Sequence, residues 1–189
     1  NFNTMKEDLA RPWIIAGYSL FAKEGPRGLK IEVMAGLVKK SKSSFYHYFA
    51  DLEVFTEDLL RYHLARAREI AARERACQSI VPDLLNVLVD SKPDLLFNRQ
   101  LRIYRDVPAF NKCFEQSNIE ASNALMDLWM AEVGLTDHKK LASQLFILVM
   151  DNFYLQISEK NLTYEWLLSY FSKLGTLVAE MKKSEVASS

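Results

Sequence analysis

Apolar positions recur at helical spacing along most of the chain. One face of the first predicted helix, residues 9–24, carries Trp13, Ala16, Gly17, Leu20 and Phe21. Gly25-Pro26 follows it as a stop signal. No segment shows the alternation of apolar and polar residues that is typical of a strand. The pattern therefore predicts an all-α protein.

Residues 28–55, GLKIEVMAGLVKKSKSSFYHYFADLEVF, predict two short helices joined by a tight turn. The buried face of the first consists of Ile31, Met34, Ala35 and Val38. This spacing ends at Lys39-Lys40, and Ser41 is a suitable N-cap for the second helix. Phe45 and Phe49 lie one helical turn apart and can anchor that helix to a core.

The remaining side chains of this region are cations, hydroxyls, a phenol and an imidazole near the surface. Such side chains bind phosphates and read base edges. The candidate DNA contacts are Lys30, Lys39, Lys40, Lys42, Ser43, Ser44, Tyr46 and His47. Lys42 and Tyr46 are expected to contact phosphates, with Ser43, Ser44 and His47 closer to the bases.

The charge distribution supports a small DNA-contacting surface. The whole chain has zero formal net charge, but residues 23–48 contain six Lys or Arg and only two acids. A local cationic patch on a neutral protein fits a DNA-contacting face attached to a body with another role. The alternative is a solvated basic turn without a partner.

On these residues the chain resembles the TetR-type transcriptional regulators. The resemblance begins at Arg11 with RPWIIAGYSLFAKEG, continues with Met34-Ala35 where the family usually has Ile-Ala, and ends with SKSSFYHYF. Tyr46 and Phe49 occupy the family's most characteristic positions. The match covers about a quarter of the chain. It implies an N-terminal three-helix, helix-turn-helix DNA-binding domain followed by a C-terminal helical ligand-binding and dimerisation domain.

Two departures from the family pattern concern DNA binding. Lys39-Lys40 stands where the family usually has Gly-Val, and a positive φ there strains a residue that has a Cβ. Leu52 stands where the family favours a lysine that contacts phosphate. Lys39 and Lys40 can restore part of the missing positive charge.

The predicted division is a DNA-binding domain at residues 6–51, an effector-binding and dimerisation domain at 52–183, and a polar tail at 184–189. Asp51 is a candidate N-cap for a long connecting helix, residues 52–75. Pro82, Pro93 and Pro108 predict separate helices near residues 81–91, 94–105 and 109–133.

Two apolar stripes with 4, 3, 4, 3 spacing predict a dimer interface. The first contains Leu141, Leu145, Leu148, Asn152 and Leu155, and the second contains Leu167, Phe171, Leu174, Val178 and Met181. This spacing suits helices that pack at shallow angles in bundles. Two such helices from each chain would form a four-helix seam, which is where the resembling family dimerises. The alternative is ordinary intramolecular core.

The resemblance also implies an effector pocket among the middle helices. The aromatic and sulfur-containing candidates, with one cation, are Phe97, Arg102, Tyr104, Phe110, Phe114, Met126, Trp129, Met150 and Tyr154. Large aromatic side chains with scattered polar partners suit an apolar or amphipathic small molecule. Plain core packing is the alternative for each of them.

Catalysis and cofactor binding have little support in the sequence. His47, His63 and His138 belong to no recognisable catalytic or metal-binding motif. Cys77 and Cys113 do not form a disulfide framework and fit a reducing cytoplasm. We therefore expect no metal, no cofactor and no enzymatic activity. A signal-peptide pattern and an apolar run of transmembrane length are also lacking, so a cytoplasmic location is expected.

Together these observations predict a homodimeric, ligand-responsive repressor that binds double-stranded operator DNA. The alternative is a helical small-molecule-binding or interaction protein whose DNA-binding head is degenerate. Lys39-Lys40 and Leu52 favour this alternative.

Overall fold

A computed structural model describes the backbone of residues 2–187 and the side chains of residues 9–180. This part of the chain is built from α-helices and contains no strand, which confirms the predicted class. In chain order the helices are α1 (Phe2–Glu24), α2 (Ile31–Val38), α3 (Lys42–Tyr48), α4 (Leu52–Arg75), α5 (Leu85–Asp90), α6 (Lys92–Ile103), α7 (Pro108–Val133), α8 (Lys139–Gln156) and α9 (Tyr164–Ala187).

Several boundaries follow the stop and start signals of the sequence. A 3₁₀ turn, Gly25–Gly28, follows α1, and Gly25 adopts a φ of 68° there. The long helix α4 has the predicted ends. The predicted helix at 81–91 is an irregular helical turn, Ile80–Leu84, followed by α5. Residues 184–187 of the predicted polar tail continue α9, while 188–189, and the side chain of Met181, lie outside the described residues.

The chain forms two compact units. Unit 1 consists of Asn1–Ala67 and Pro93–Ser117, and unit 2 consists of Arg68–Lys92 and Asn118–Ser189. Unit 1 is therefore discontinuous along the chain, and α4 and α7 contribute residues to both units. The predicted functional division at residue 51 stays a prediction.

The core of the helix-turn-helix region in unit 1 is aromatic. Phe45 is fully buried and contacts the rings of Trp13, Phe49 and Phe55 at centroid distances between 5.1 and 5.4 Å. Gly17 on α1 lies so close to the Phe55 ring that an added Cβ would stand 2.4 Å from it. A glycine at this position lets α1 and α4 pack closely enough to enclose the core.

Helix α6 completes unit 1 by covering the end of α1. The Gln100 side-chain amide donates to the backbone carbonyl of Lys23 at 3.1 Å. The last four carbonyls of a helix lack intrahelical donors, and a side-chain donor of this kind can satisfy one of them. Phe97 of the same helix stacks on Tyr18 and on Phe21 at 4.4 and 4.2 Å. These contacts bring residues from distant parts of the chain into one core.

Unit 2 has its own core, to which α7, α8 and α9 contribute. Ile157, Leu162 and Leu167 are almost completely buried. The Trp129 indole N–H donates to the backbone carbonyl of Ala142 at 2.9 Å, which ties α7 to α8. Among the described helices, none is both long and apolar enough to span a membrane.

Candidate nucleic-acid interface and ligand cleft

The turn between α2 and α3 is a Schellman motif with a lysine at its left-handed position. Lys39 has φ 55° and ψ 45°. The backbone N–H of Lys39 donates to the carbonyl of Gly36 at 3.3 Å, and the backbone N–H of Lys40 donates to the carbonyl of Ala35 at 3.0 Å. Glycine is favoured at such a position because it has no Cβ to crowd the backbone. The predicted positive φ is therefore confirmed, and the turn forms without glycine.

Helix α3 is oriented by its cap and by two buried rings. The backbone N–H of Ser44 donates to the Ser41 hydroxyl at 3.3 Å, which confirms the predicted N-cap. Phe45 and Phe49 are buried as predicted. Asp51 caps α4 in the same way, since its Oδ1 accepts from the backbone N–H of Val54 at 2.9 Å.

The predicted DNA-contact residues belong to the N-cap of α2, the turn and α3. Ser44 is half-buried, and the exposed members are Lys30, Lys39, Lys40, Lys42, Ser43, Tyr46 and His47. Tyr46 is 57% exposed although it is aromatic. The Lys40 ammonium lies 5.8 Å from the centroid of the Tyr48 ring. An exposed phenol among cations and hydroxyls is suited to phosphate and base contacts.

One of the two acids of residues 23–48 lies in α2, and the sequence did not predict its partner. Glu32, in the first turn of α2, forms an ion pair with Lys42, in the first turn of α3. The hydrogen bond from Lys42 holds the pKa of the Glu32 carboxyl below its usual value. The two residues are ten positions apart, so helical periodicity does not reveal the pair.

The predicted effector residues are divided between the two units. Five belong to unit 1, namely Phe97, Arg102, Tyr104, Phe110 and Phe114, and four belong to unit 2, namely Met126, Trp129, Met150 and Tyr154. Phe97 is fully buried between aromatic rings, and Phe110 is also buried. Both residues therefore pack in the core of unit 1 in this conformation. The assignment of an effector to the nine residues stays a prediction.

Unit 2 contains a cleft with a volume of about 500 Å³ between α8 and α9. Trp166 and Tyr170 stack along it with centroids 5.3 Å apart, and Trp129 also contributes to its lining. The Tyr170 hydroxyl donates to the Val149 carbonyl at 3.1 Å, and Asn152 accepts from the Gln156 amide at 2.6 Å. Of the predicted effector residues in unit 2, Trp129 is the one that lines this cleft.

The same cleft is lined by part of the predicted dimer interface, namely Leu145, Leu148, Asn152, Leu174 and Val178. Leu148 and Leu155 are 64% and 63% exposed, and Leu141 and Asn152 are exposed as well. Phe171 is half-buried, and Leu167 is fully buried in the core of unit 2. Most of the stripe therefore remains accessible to a partner, whereas Leu167 packs inside its own chain.

A buried polar cluster in unit 1 joins α1, α4 and α6, and Ser117 of α7 donates to its Asn98 side-chain oxygen at 2.7 Å. The Tyr18 hydroxyl donates to Oδ1 of Asp94 at 2.8 Å and lies 2.7 Å from Nδ1 of His63. Arg66 donates to both carboxylate oxygens of Asp94, at 3.1 and 3.2 Å. Nε2 of His63 lies 3.3 Å from the Asn98 side-chain oxygen. The sequence predicts no role for His63, because its partners lie far away along the chain.

Burial controls the protonation of this cluster. It lowers the pKa of His63 to about 4, so the imidazole is neutral at physiological pH. Burial, and then the Asp94 carboxylate, raise the pKa of Tyr18 well above its ordinary value. A neutral His and an intact hydroxyl beside an Arg–Asp pair form a structural network. In the part of the chain that the structure describes, no group of three or more His, Cys, Asp and Glu residues could hold a metal ion.

The fold of this chain is similar to that of proteins of known structure. No protein-family model and no curated protein sequence matches the chain. A solved structure assigned to the TetR-family transcriptional regulators, from Mesorhizobium loti MAFF303099, matches with a TM-score of 0.60 and 17% identity, covering 93% of this chain and 97% of that one. The chain has the TetR-type fold.

A second TetR-type structure supports the same conclusion. It comes from Rhodococcus sp. and matches with a TM-score of 0.53 and 17% identity, over 88% of this chain and 97% of that one. In both comparisons the match extends far beyond the quarter of the chain on which the sequence resemblance rests. The TetR-type architecture thus includes the region beyond the helix-turn-helix, where the sequence has no recognisable family motif.

Proposed function

We propose that the protein is a DNA-binding transcriptional regulator that contacts double-stranded DNA through α3. The observation that supports this most directly is the way in which α3 packs against the core. Its apolar side is held in the core by Phe45 and Phe49, while Lys42, Ser43, Tyr46 and His47 are exposed together. A helix presented in this way can enter the major groove.

Lys42→Ala tests this proposal when it is compared with Lys140→Ala, an exposed lysine on α8 in unit 2. Binding to duplex DNA that flanks the gene is measured by fluorescence anisotropy over a range of KCl concentrations. The Lys42 variant should bind every duplex more weakly, with a salt slope lower by about one charge. The Lys140 variant should match the wild type. No duplex binding at low salt, or equal behaviour of the two variants, would contradict the proposal.

A homodimer is part of the same proposal. Two-fold symmetry in a regulator matches the two half-sites of an operator. The exposed leucines of α8 and the half-buried apolar residues of α9 form a surface that a second copy could cover. Repression is the regulatory direction we propose, with release of DNA when an apolar or amphipathic effector binds.

The effector is expected among the aromatic and methionine residues of unit 2, near Trp129. Fluorescence of the protein with 1-anilinonaphthalene-8-sulfonate tests for such a site, with Trp166→Phe used to separate the two indoles of the cleft. Competition between the dye and DNA would support an effector-responsive regulator. Dye binding by a protein that binds no duplex would instead support the alternative function, a helical ligand-binding protein with a degenerate head.

A further inference from the structure

The Glu32–Lys42 ion pair connects the first turns of α2 and α3 across the surface proposed to bind DNA. Both side chains are largely exposed, at 64% for Glu32 and 56% for Lys42. The pair therefore forms in a place that a phosphate could also reach. Lys42 is the first residue of α3 and directly follows the Ser41 cap.

Local electrostatics explain why Lys42 needs an anionic partner. A cation in the first turn of a helix opposes the helix dipole, whereas an acid in that position is favoured. Glu32 is placed favourably on α2, while Lys42 is placed unfavourably on α3. In the free protein, the Glu32 carboxylate supplies the anion at the end of α3. In a complex, a DNA phosphate could take the place of the carboxylate on the Lys42 ammonium.

We propose that Glu32 gates the DNA affinity of the protein by competing with backbone phosphate for the Lys42 ammonium. This inference rests on the proposed function. Before Lys42 can bind phosphate, its contact with Glu32 must break, and the carboxylate then faces the polyanionic duplex unpaired. Glu32 thus weakens binding to DNA of every sequence.

The test measures affinity for a labelled random-sequence duplex across KCl concentrations. Glu32→Gln keeps the size and polarity of the side chain, and at an exposed position it leaves folding intact, as circular dichroism can verify. It should tighten binding about two- to fivefold at low salt, the range expected for an exposed ion pair. Glu53→Gln, at an exposed acid on α4, is the matched control for the general loss of negative charge.

A double-mutant cycle separates gating of Lys42 from simple charge removal. If Glu32 acts through Lys42, then Glu32→Gln should tighten binding much less in a Lys42→Gln background. An equal gain in both backgrounds, or an equal gain from Glu53→Gln, would overturn the inference. An NMR titration of the Glu32 carboxyl in free protein is the second readout. Its midpoint should rise in Lys42→Gln, and an unchanged midpoint would also overturn the inference.

The outcomes distinguish this inference from the function on which it rests. If neither the wild type nor Glu32→Gln binds duplex at low salt, the proposed function itself fails. If the wild type binds with a normal salt dependence and Glu32→Gln binds identically, only the role of Glu32 fails.

Discussion

At the scale of single residues, the turn between α2 and α3 depends on Lys39 in the left-handed region. A residue with a Cβ is strained there, while glycine is not. We expect Lys39→Gly to raise the free energy of unfolding by about 1 kcal/mol. Urea denaturation followed by circular dichroism would measure this change.

Lys40→Gly is the matched control. Among the described residues of this turn, Lys39 has a positive φ and Lys40 does not. Glycine at position 40 relieves no strain and adds flexibility to the unfolded chain, so stability should fall by roughly 0.5–1 kcal/mol. Equal effects at the two positions would show that the backbone of Lys39 is not strained.

Glu74 is a second residue whose surroundings in the folded protein should lower the free energy of unfolding. It is 5% exposed, and its Oε2 has no hydrogen-bond partner among the described residues. Burial raises the pKa of Glu74 from 4.5 to about 7. Between these values the folded protein holds a proton that the unfolded chain has lost. The stability that this proton provides is complete below about pH 4.5 and disappears as the pH rises through 7.

We therefore expect Glu74→Gln, which is neutral at every pH, to be more stable than the wild type at pH 8 by roughly 1–3 kcal/mol. The two proteins should become similar near pH 5. Thermal unfolding at both pH values would measure the difference, with Glu53→Gln, at an exposed acid, as the control. A constant difference at all pH values would mean that Glu74 is ionised in the folded state.

At the scale of elements, the Tyr18 hydroxyl is a polar link between α1, α4 and α6. Tyr18→Phe keeps the ring, which stacks on Phe97, but leaves His63 and Asp94 without this partner. We expect the free energy of unfolding to fall by about 1–3 kcal/mol, since buried polar groups lose a hydrogen bond. Chemical denaturation would measure the loss.

Tyr62→Phe is the corresponding control. The Tyr62 ring packs edge-on against Tyr18 at 5.2 Å, and its side chain is only half-buried. Removal of its hydroxyl should change stability by less than removal of the Tyr18 hydroxyl. If the Tyr18 variant were as stable as the wild type, the Tyr18 hydroxyl would contribute nothing to the packing of α1 against α6.

Local signals made the helix-turn-helix elements predictable from sequence. The Ser41 and Asp51 caps and the Phe45 and Phe49 anchors depend on residues within a few positions of one another, so the pattern itself contains them. The Tyr18–Asp94 contact joins residues 76 positions apart, and no periodicity encodes such a pair. For the same reason, composition could propose an effector set but could not show that its members fall in two different units.

At the scale of the whole molecule, the exposed stripe on α8 governs the predicted assembly. We expect Leu148→Glu to shift the protein toward monomer in sedimentation velocity, because a charge in an apolar seam costs several kcal/mol. Ile119→Glu, at an exposed apolar residue of α7 outside the stripes, should leave the assembly unchanged. A wild type that is monomeric at micromolar concentration would rule out the dimer.

The discontinuity of unit 1 has a consequence for biosynthesis. When residues 1–67 have left the ribosome, Tyr18 and Phe21 still lack the α6 residues that cover them, since these come from the segment Pro93–Ser117. At roughly 5–20 residues per second, that segment follows roughly 3–10 s later. Throughout this interval the two rings of the nascent α1 lack their α6 cover, and transiently exposed apolar surface of this kind favours aggregation. A fragment truncated after Ala67 would keep this surface exposed permanently.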